Sequence, residues 1–316
     1  MSINTSNSGV LIESDVLSAT LKDRLEEKLM GQDFVSMVEF GEGNTLRIPS
    51  IGQFIAGKDY VEGDEVKFQS PDLGEFTFTI TEYDESGFSI SDKVKQDTSY
   101  ASQALAKYIA EMTKSLEVAV EVEIMKIINS NQTASDLNAI NGAAHRFVAS
   151  GAIDTLTTKD LRRAKFALKK ANVPLTNIVA IVDPSCEEAL RTDTDIQAAI
   201  QNTPRWSDLI SSGFSNDLNF LGSYEGIDIY SSNYLPVVGA ETVDSVAVAN
   251  GVANYVFSAD PSVETMMFGW RQMPEAEFFR NTTRKQDEYT ATQRYGTGLY
   301  RPEGAVTILT DSTQAF

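Results

Sequence analysis

The side chains able to do covalent chemistry are few. The chain has one histidine, His145, and one cysteine, Cys186. A thiol nucleophile needs its base within hydrogen-bond reach, and nothing in the spacing of these two suggests that they meet. Zinc takes three or four nitrogen and sulfur ligands, and one of each does not suffice. Gly222-Ser223-Tyr224-Glu225-Gly226 has the wrong spacing for a serine nucleophile elbow. No phosphate-cradling loop of the Walker or dinucleotide type occurs. Asp84-Glu85 and Asp193-Thr194-Asp195 offer oxygen ligands without the spacing of a calcium loop, so solvated turns are the better reading. The expectation is no catalytic residue, no cofactor and no metal.

Two other patterns could do physical rather than chemical work. Asp59, Glu62, Asp64 and Glu65 crowd one short glycine-bearing stretch, while Arg280, Arg284 and Lys285 lie close together late in the chain. Phe76, Phe78 and Ile80 alternate with Thr77, Thr79 and Thr81, which gives a strand with one apolar face. Exposed ion pairs contribute about 0–1 kcal/mol each, so burial of the apolar face would contribute more. Either the charges are simply solvated, or they join two surfaces.

The elements that must position these residues follow from period and punctuation. Residues 1–13 are polar and rich in Ser and Asn, an arm; Ser14 then caps a short helix with Leu17, Leu21, Leu25 and Leu29 on one stripe. That helix either packs on its own domain or docks on a neighbour. Asn44–Pro49 alternates as an edge strand, residues 56–65 form a solvent-reaching tip, and Phe76–Thr81 returns. Arms of about fifteen residues would reach on the order of 50 Å. Such a hairpin, with no covering element nearby in the sequence, is expected to lie on another copy of the chain.

Neither Gly nor Pro occurs between Asp97 and Asn129, and apolar residues from Ala101 through Met112 and Leu116 to Ile127 keep a helical period. This predicts a spine helix roughly 48 Å long, with Glu111, Lys114, Glu117, Glu121 and Glu123 mostly off its apolar stripe. Residues 130–155 read as loop. A capped helix over 158–171 leads to a buried strand at Ile178–Val182, a helix over 187–199 and strands at 227–230 and 244–249. Phe278–Tyr295 reads as one extended, polar-alternating segment.

At 316 residues the chain can bury a sizeable core, and 42% hydrophobic residues are ordinary for a folded protein. The formal charge of −19 argues against wrapping nucleic acid, favours solubility and makes copies repel. One cysteine fits a reducing cytoplasm. No secretory signal and no stretch able to span a bilayer are visible, so no membrane partner is expected.

Four segments together resemble the major capsid protein of tailed double-stranded DNA bacteriophages. GNTLRIPSIGQ with the charged tip looks like that family's outbound extended loop, and FTFTITEYDESGFSISD like its return strand leading into the spine helix. LTTKDLRRAKFALKKANVP followed by IVAIVDP is similar to its helix, turn and buried strand. GSYEGIDIYSSNYLP and RYGTGLYRPEG resemble its closing strands. The resemblance implies an α+β Hong Kong phage-type fold. Its parts would be an arm (1–40), an extended loop (41–95), a peripheral domain (96–150 and 262–294) and an axial domain (151–261 and 295–316).

It also implies a non-enzymatic shell subunit forming hexamers and pentamers around double-stranded DNA, without sequence-specific contact. Further implied partners are a separate scaffolding protein, a portal and in some cases a decoration protein, with assembly in the host bacterial cytoplasm. In that layout the acidic tip of one subunit meets the basic strand of the next. Some relatives crosslink a loop lysine to an asparagine, which here points to Lys58 or Lys67 and Asn281. An encapsulin-like compartment shell is the alternative within the fold, and a soluble enzyme with an acidic site lies further off.

Overall fold

The computed structural model describes residues 2–3, 29–39, 43–51, 62, 73–97, 101–192 and 220–311. The helix predicted after Ser14, the loop tip except Glu62, and residues 193–199 lie outside these.

Two sheets share one long helix. The first sheet has the order β1 (Ser2–Ile3), β5 (Glu82–Ser91), β13 (Gln286–Leu299), β12 (Met266–Asn281), β2 (Ser36–Met37). The second runs β6 (Arg146–Val148), β14 (Ala305–Asp311), β11 (Val246–Ser258), β7 (Ile178–Val182), β9 (Ile227–Ser231), β8 (Phe220–Tyr224), with β10 (Val237–Val243) also on β11. A separate ribbon pairs β3 (Thr45–Ile51) with β4 (Leu73–Thr79), the base of the expected extended loop. Among the described residues the α-helices are α1 (Asp92–Asp97), α2 (Ala101–Asn131), α3 (Thr158–Lys170) and α4 (Pro184–Thr192).

Helix α2 is the predicted spine. Met112 and Leu116 pack with Ala291 and Phe88 of the first sheet. Two turns on, Val120, Ile124, Ile127 and Ile128 share a core with Val179, Ile181, Tyr255, Phe257 and Leu309 of the second. One apolar stripe thus ties both sheets together, as a helix of about 47 Å can. The other face of the second sheet is covered by α3 through Leu161, Ala164 and Leu168, packed with Ile178, Ala180, Val256 and Ile308.

Three readings of the sequence need correction. Phe278–Tyr295 is not one segment but parts of two long antiparallel strands, which turn between Asn281 and Gln286. The stretch read as loop contains β6, whose three residues are all buried because it closes the edge of the second sheet on β14. Glu121, expected off the apolar stripe, is 2% exposed. Its carboxylate accepts the backbone N–H of Gly31 (2.8 and 3.0 Å) and of Met30 (3.2 Å), which fixes residues 30–31 against the spine.

Candidate assembly surfaces

The chain's own fold already covers the apolar face of the returning strand. Phe78 is 1% and Ile80 4% exposed, while Phe76 is half-buried with its ring edge-to-face on Tyr300 at 5.0 Å. The cover comes from β13, where two glycines open the space. A Cβ on Gly296 would stand 2.8 Å from the Thr79 carbonyl oxygen and 3.0 Å from the Ile80 Cα; one on Gly298 would stand 3.1 Å from the Phe78 ring. The Tyr295-Gly296-Thr297-Gly298 alternation is therefore a seat for β4, in keeping with glycines that mark close backbone approach within a strand. The neighbouring Tyr295 donates its hydroxyl to Asp84 at 2.9 Å, and burial raises its pKa. The expectation that this face waits for another copy is overturned for Phe78 and Ile80, which have lost their water within the protomer.

The basic cluster sits at the far end of the same strand. Gly296 and Lys285 are eleven residues apart along β13, which places the two ends about 37 Å from each other. There Arg280 is held in a bidentate pair with Asp92 (2.6 and 2.6 Å) and also reaches Asp287 at 2.7 Å. Lys95 completes the group on Asp287. The Arg280 hydrogen bonds hold Asp92 below the ordinary carboxylate range, and the two carboxylates in turn raise the guanidinium pKa. Arg280 is thus neutralised inside the chain. Arg284 and Lys285, in the turn, are exposed. Asn281 beside them donates to Glu288 at 3.0 Å. Of the acidic tip, Glu62 is exposed in a turn, while Asp59, Asp64, Glu65, Lys58 and Lys67 lie outside the described residues.

The structure adds apolar surface that the sequence reading passed over. β2 pairs with β12 only at Met267 and Phe268, so the outer edge of β12 further along has no strand partner among the described residues. On that stretch Met273, Phe278 and Phe279 are 69%, 58% and 64% exposed. Successive residues of a strand face opposite sides, so Phe278 and Phe279 offer apolar area on both. The signal was present in Glu277-Phe278-Phe279-Arg280, but an apolar pair gives no indication of which of its faces is covered.

His145 and Cys186 are separately engaged. His145 is 1% exposed, its Nδ1 lies 3.1 Å from the Ala143 carbonyl, and burial lowers its pKa. The Cys186 thiol contacts Asn254 and Thr310, and burial pushes it up to about 11. A thiol so raised stays protonated and inert at neutral pH. Among the described residues no helix is long and apolar enough to cross a membrane.

Comparison with known proteins is consistent with this geometry. The family profile described as phage capsid protein matches residues 74–308. A structure from Mycobacterium phage Che8 aligns with a TM-score of 0.68 at 15% identity, covering 93% of this chain and 96% of that one. The capsid of cyanophage P-SCSP1u aligns at 0.69 and 15%, covering 95% and 94%. The capsid of Ralstonia phage GP4 aligns at 0.64 and 13%, covering 96% of each. A search of curated proteins returns no match.

Proposed function

Because this chain belongs to the phage capsid protein family, it is a structural subunit of a virion shell, and we propose that it builds that shell from hexamers and pentamers around double-stranded DNA. Its fold is the Hong Kong phage-type capsid fold, and its role is structural rather than enzymatic. The family match across the spine, both sheets and the closing strands carries the reading. The family match does not favour an encapsulin-like compartment shell or an enzyme.

In this reading residues 1–40 are the arm and 41–95 the extended loop. Residues 96–150 and 262–294, with the spine helix, are the peripheral domain, and 151–261 and 295–316 the axial domain. Asp59, Glu62, Asp64 and Glu65 at the tip of one subunit meet Arg284 and Lys285 at the hairpin end of the next. Arg280 acts indirectly, by tying that hairpin to Asp92. Phe76, Phe78 and Ile80 seat the loop on its own subunit, and exposed Phe278 and Phe279 supply the apolar area that a neighbour buries. Scaffolding, portal and any decoration proteins are separate chains, and assembly takes place in the host bacterial cytoplasm. The negative charge discourages sticking of packaged DNA to the wall.

Electron microscopy with light scattering, on the protein alone and co-expressed with its scaffold, tests the reading. Closed shells or capsomer-sized rings are expected. A stable monomer under both conditions would overturn it. Charge reversal at Arg284 and Lys285 together is expected to weaken assembly, and unchanged assembly would count against the tip contact.

A further inference from the structure

Helix α3 is an electrostatic outlier in an acidic chain. Within thirteen residues it carries Lys159, Arg162, Arg163, Lys165, Lys169 and Lys170, six of the chain's 26 lysines and arginines. Its one acid, Asp160, is 1% exposed and turned inward, accepting the backbone N–H of Ser150 and of Thr157 in the capping box. The apolar stripe is fully used against the second sheet, where Leu161, Ala164 and Leu168 are each 0% exposed. The opposite face is therefore almost purely cationic, with Phe166 standing 56% exposed in its midst.

The middle of this ridge is held in place. Arg162 donates to the Tyr224 hydroxyl at 2.7 Å and pairs with Glu225 at 3.3 Å; Lys165 donates to the Glu225 carbonyl. The Arg163 guanidinium lies over the Phe147 ring at 4.1 Å. Lys159, Lys169 and Lys170 are exposed at its two ends. Phe166 has Arg162, Arg163, Lys169 and Lys170 as its neighbours three and four residues away on the helix, and aromatic and Arg side chains are enriched at the cores of interfaces.

Charge decides what it fits. Copies with a net charge of −19 repel, so a contact between them gains from electrostatics only where a positive patch on one meets acidic surface on the other. We propose that the outer face of α3, formed by Lys159, Arg163, Phe166, Lys169 and Lys170, docks on an acidic face of a second copy of this chain. The contact joins unlike surfaces, and repetition of such a heterologous contact gives a ring where its rotation closes. The inference rests on the shell reading above but involves a different surface from the hairpin end.

The test compares wild type with a Lys159→Glu/Lys169→Glu/Lys170→Glu variant and with Phe166→Ser, all changed at exposed positions. Circular dichroism establishes that each variant is folded, and mass photometry and electron microscopy read assembly at about 0.1 M and about 1 M salt, where screening lengths are ~10 and ~3 Å. Mixed light and heavy-nitrogen protein is then treated with a zero-length carbodiimide and crosslinks are identified by mass spectrometry.

Three results are expected. High salt weakens wild-type assembly relative to that of the triple variant, which lacks the basic contact. The folded triple variant needs roughly tenfold more protein to assemble. Crosslinks from these lysines to carboxylates join light and heavy chains. A folded triple variant that assembles like wild type overturns the proposal; if it also retains less packaged DNA, the face belongs to nucleic acid. Wild type that assembles under no condition overturns the shell reading along with it.

Discussion

Replacing Gly296 by Ala should unseat the extended loop, and the size of the effect follows from two distances. The added methyl would sit 2.8 Å from the Thr79 oxygen and 3.0 Å from the Ile80 Cα, both main-chain atoms that cannot rotate away. Carbon pairs rest at about 3.5–4.0 Å, so β4 must lift by roughly 0.5–1 Å, a gap that forfeits about a quarter to a half of each contact's attraction. Phe78 and Ile80, 1% and 4% exposed, lose packing together. Overpacking of this kind costs about 1–3 kcal/mol, a fall in Tm of roughly 2–10 °C. Gly298→Ala is the internal control. Its methyl meets the Phe78 ring at 3.1 Å and the Phe76 ring at 3.4 Å, side chains that can turn, so its cost should stay below about 1 kcal/mol. Thermal melts of the unassembled subunit, with hydrogen exchange at residues 73–80, read both. The reasoning is refuted if Gly296→Ala melts with wild type and keeps full protection there, or if Gly298→Ala proves the worse of the two.

Two further outcomes follow from buried charge. Arg146, 1% exposed, donates to Glu241 at 2.6 and 2.8 Å and to Asn129 at 2.9 Å, so Glu241→Gln should cost about 3–5 kcal/mol, whereas Arg146→Met/Glu241→Leu together should cost far less in denaturant titrations. His145 supplies a pH signature. Burial lowers its pKa, so the unfolded chain takes up a proton below about 6.5 while the folded chain resists; stability is intact above that pH and declines as pH falls through the window, by at most about 1.4 kcal/mol per unit. His145→Gln should flatten the slope between about pH 6.5 and 5, and an unchanged slope would assign it to carboxylates such as Glu241, which the Arg146 hydrogen bonds hold low.

Much of the architecture was legible because its signals are local. A helix without Gly or Pro, a run such as Ile178–Val182 and an alternating Phe76–Ile80 strand each declare their type through side-chain period, and the observed elements follow. Their order was enough to carry the family resemblance. The hairpin of β12 and β13 was missed because its turn, Thr282-Thr283-Arg284-Lys285, contains neither glycine nor proline to punctuate it.

The inventory of charges and apolar residues was likewise fixed in the primary structure, down to the dense basic helix and the acidic loop tip. Their availability was decided elsewhere. Arg280 looked free until the fold brought Asp92, 188 residues away, into a bidentate pair with it. Phe78 and Ile80 looked like interface residues until two glycines of β13 proved to make room for them. Glu121 read as lying off the apolar stripe, yet the fold buries its carboxylate on the backbone of Gly31. Periodicity is a property of neighbours along the chain, whereas partnership is set by contacts across tens or hundreds of residues, and only the folded structure brings those together.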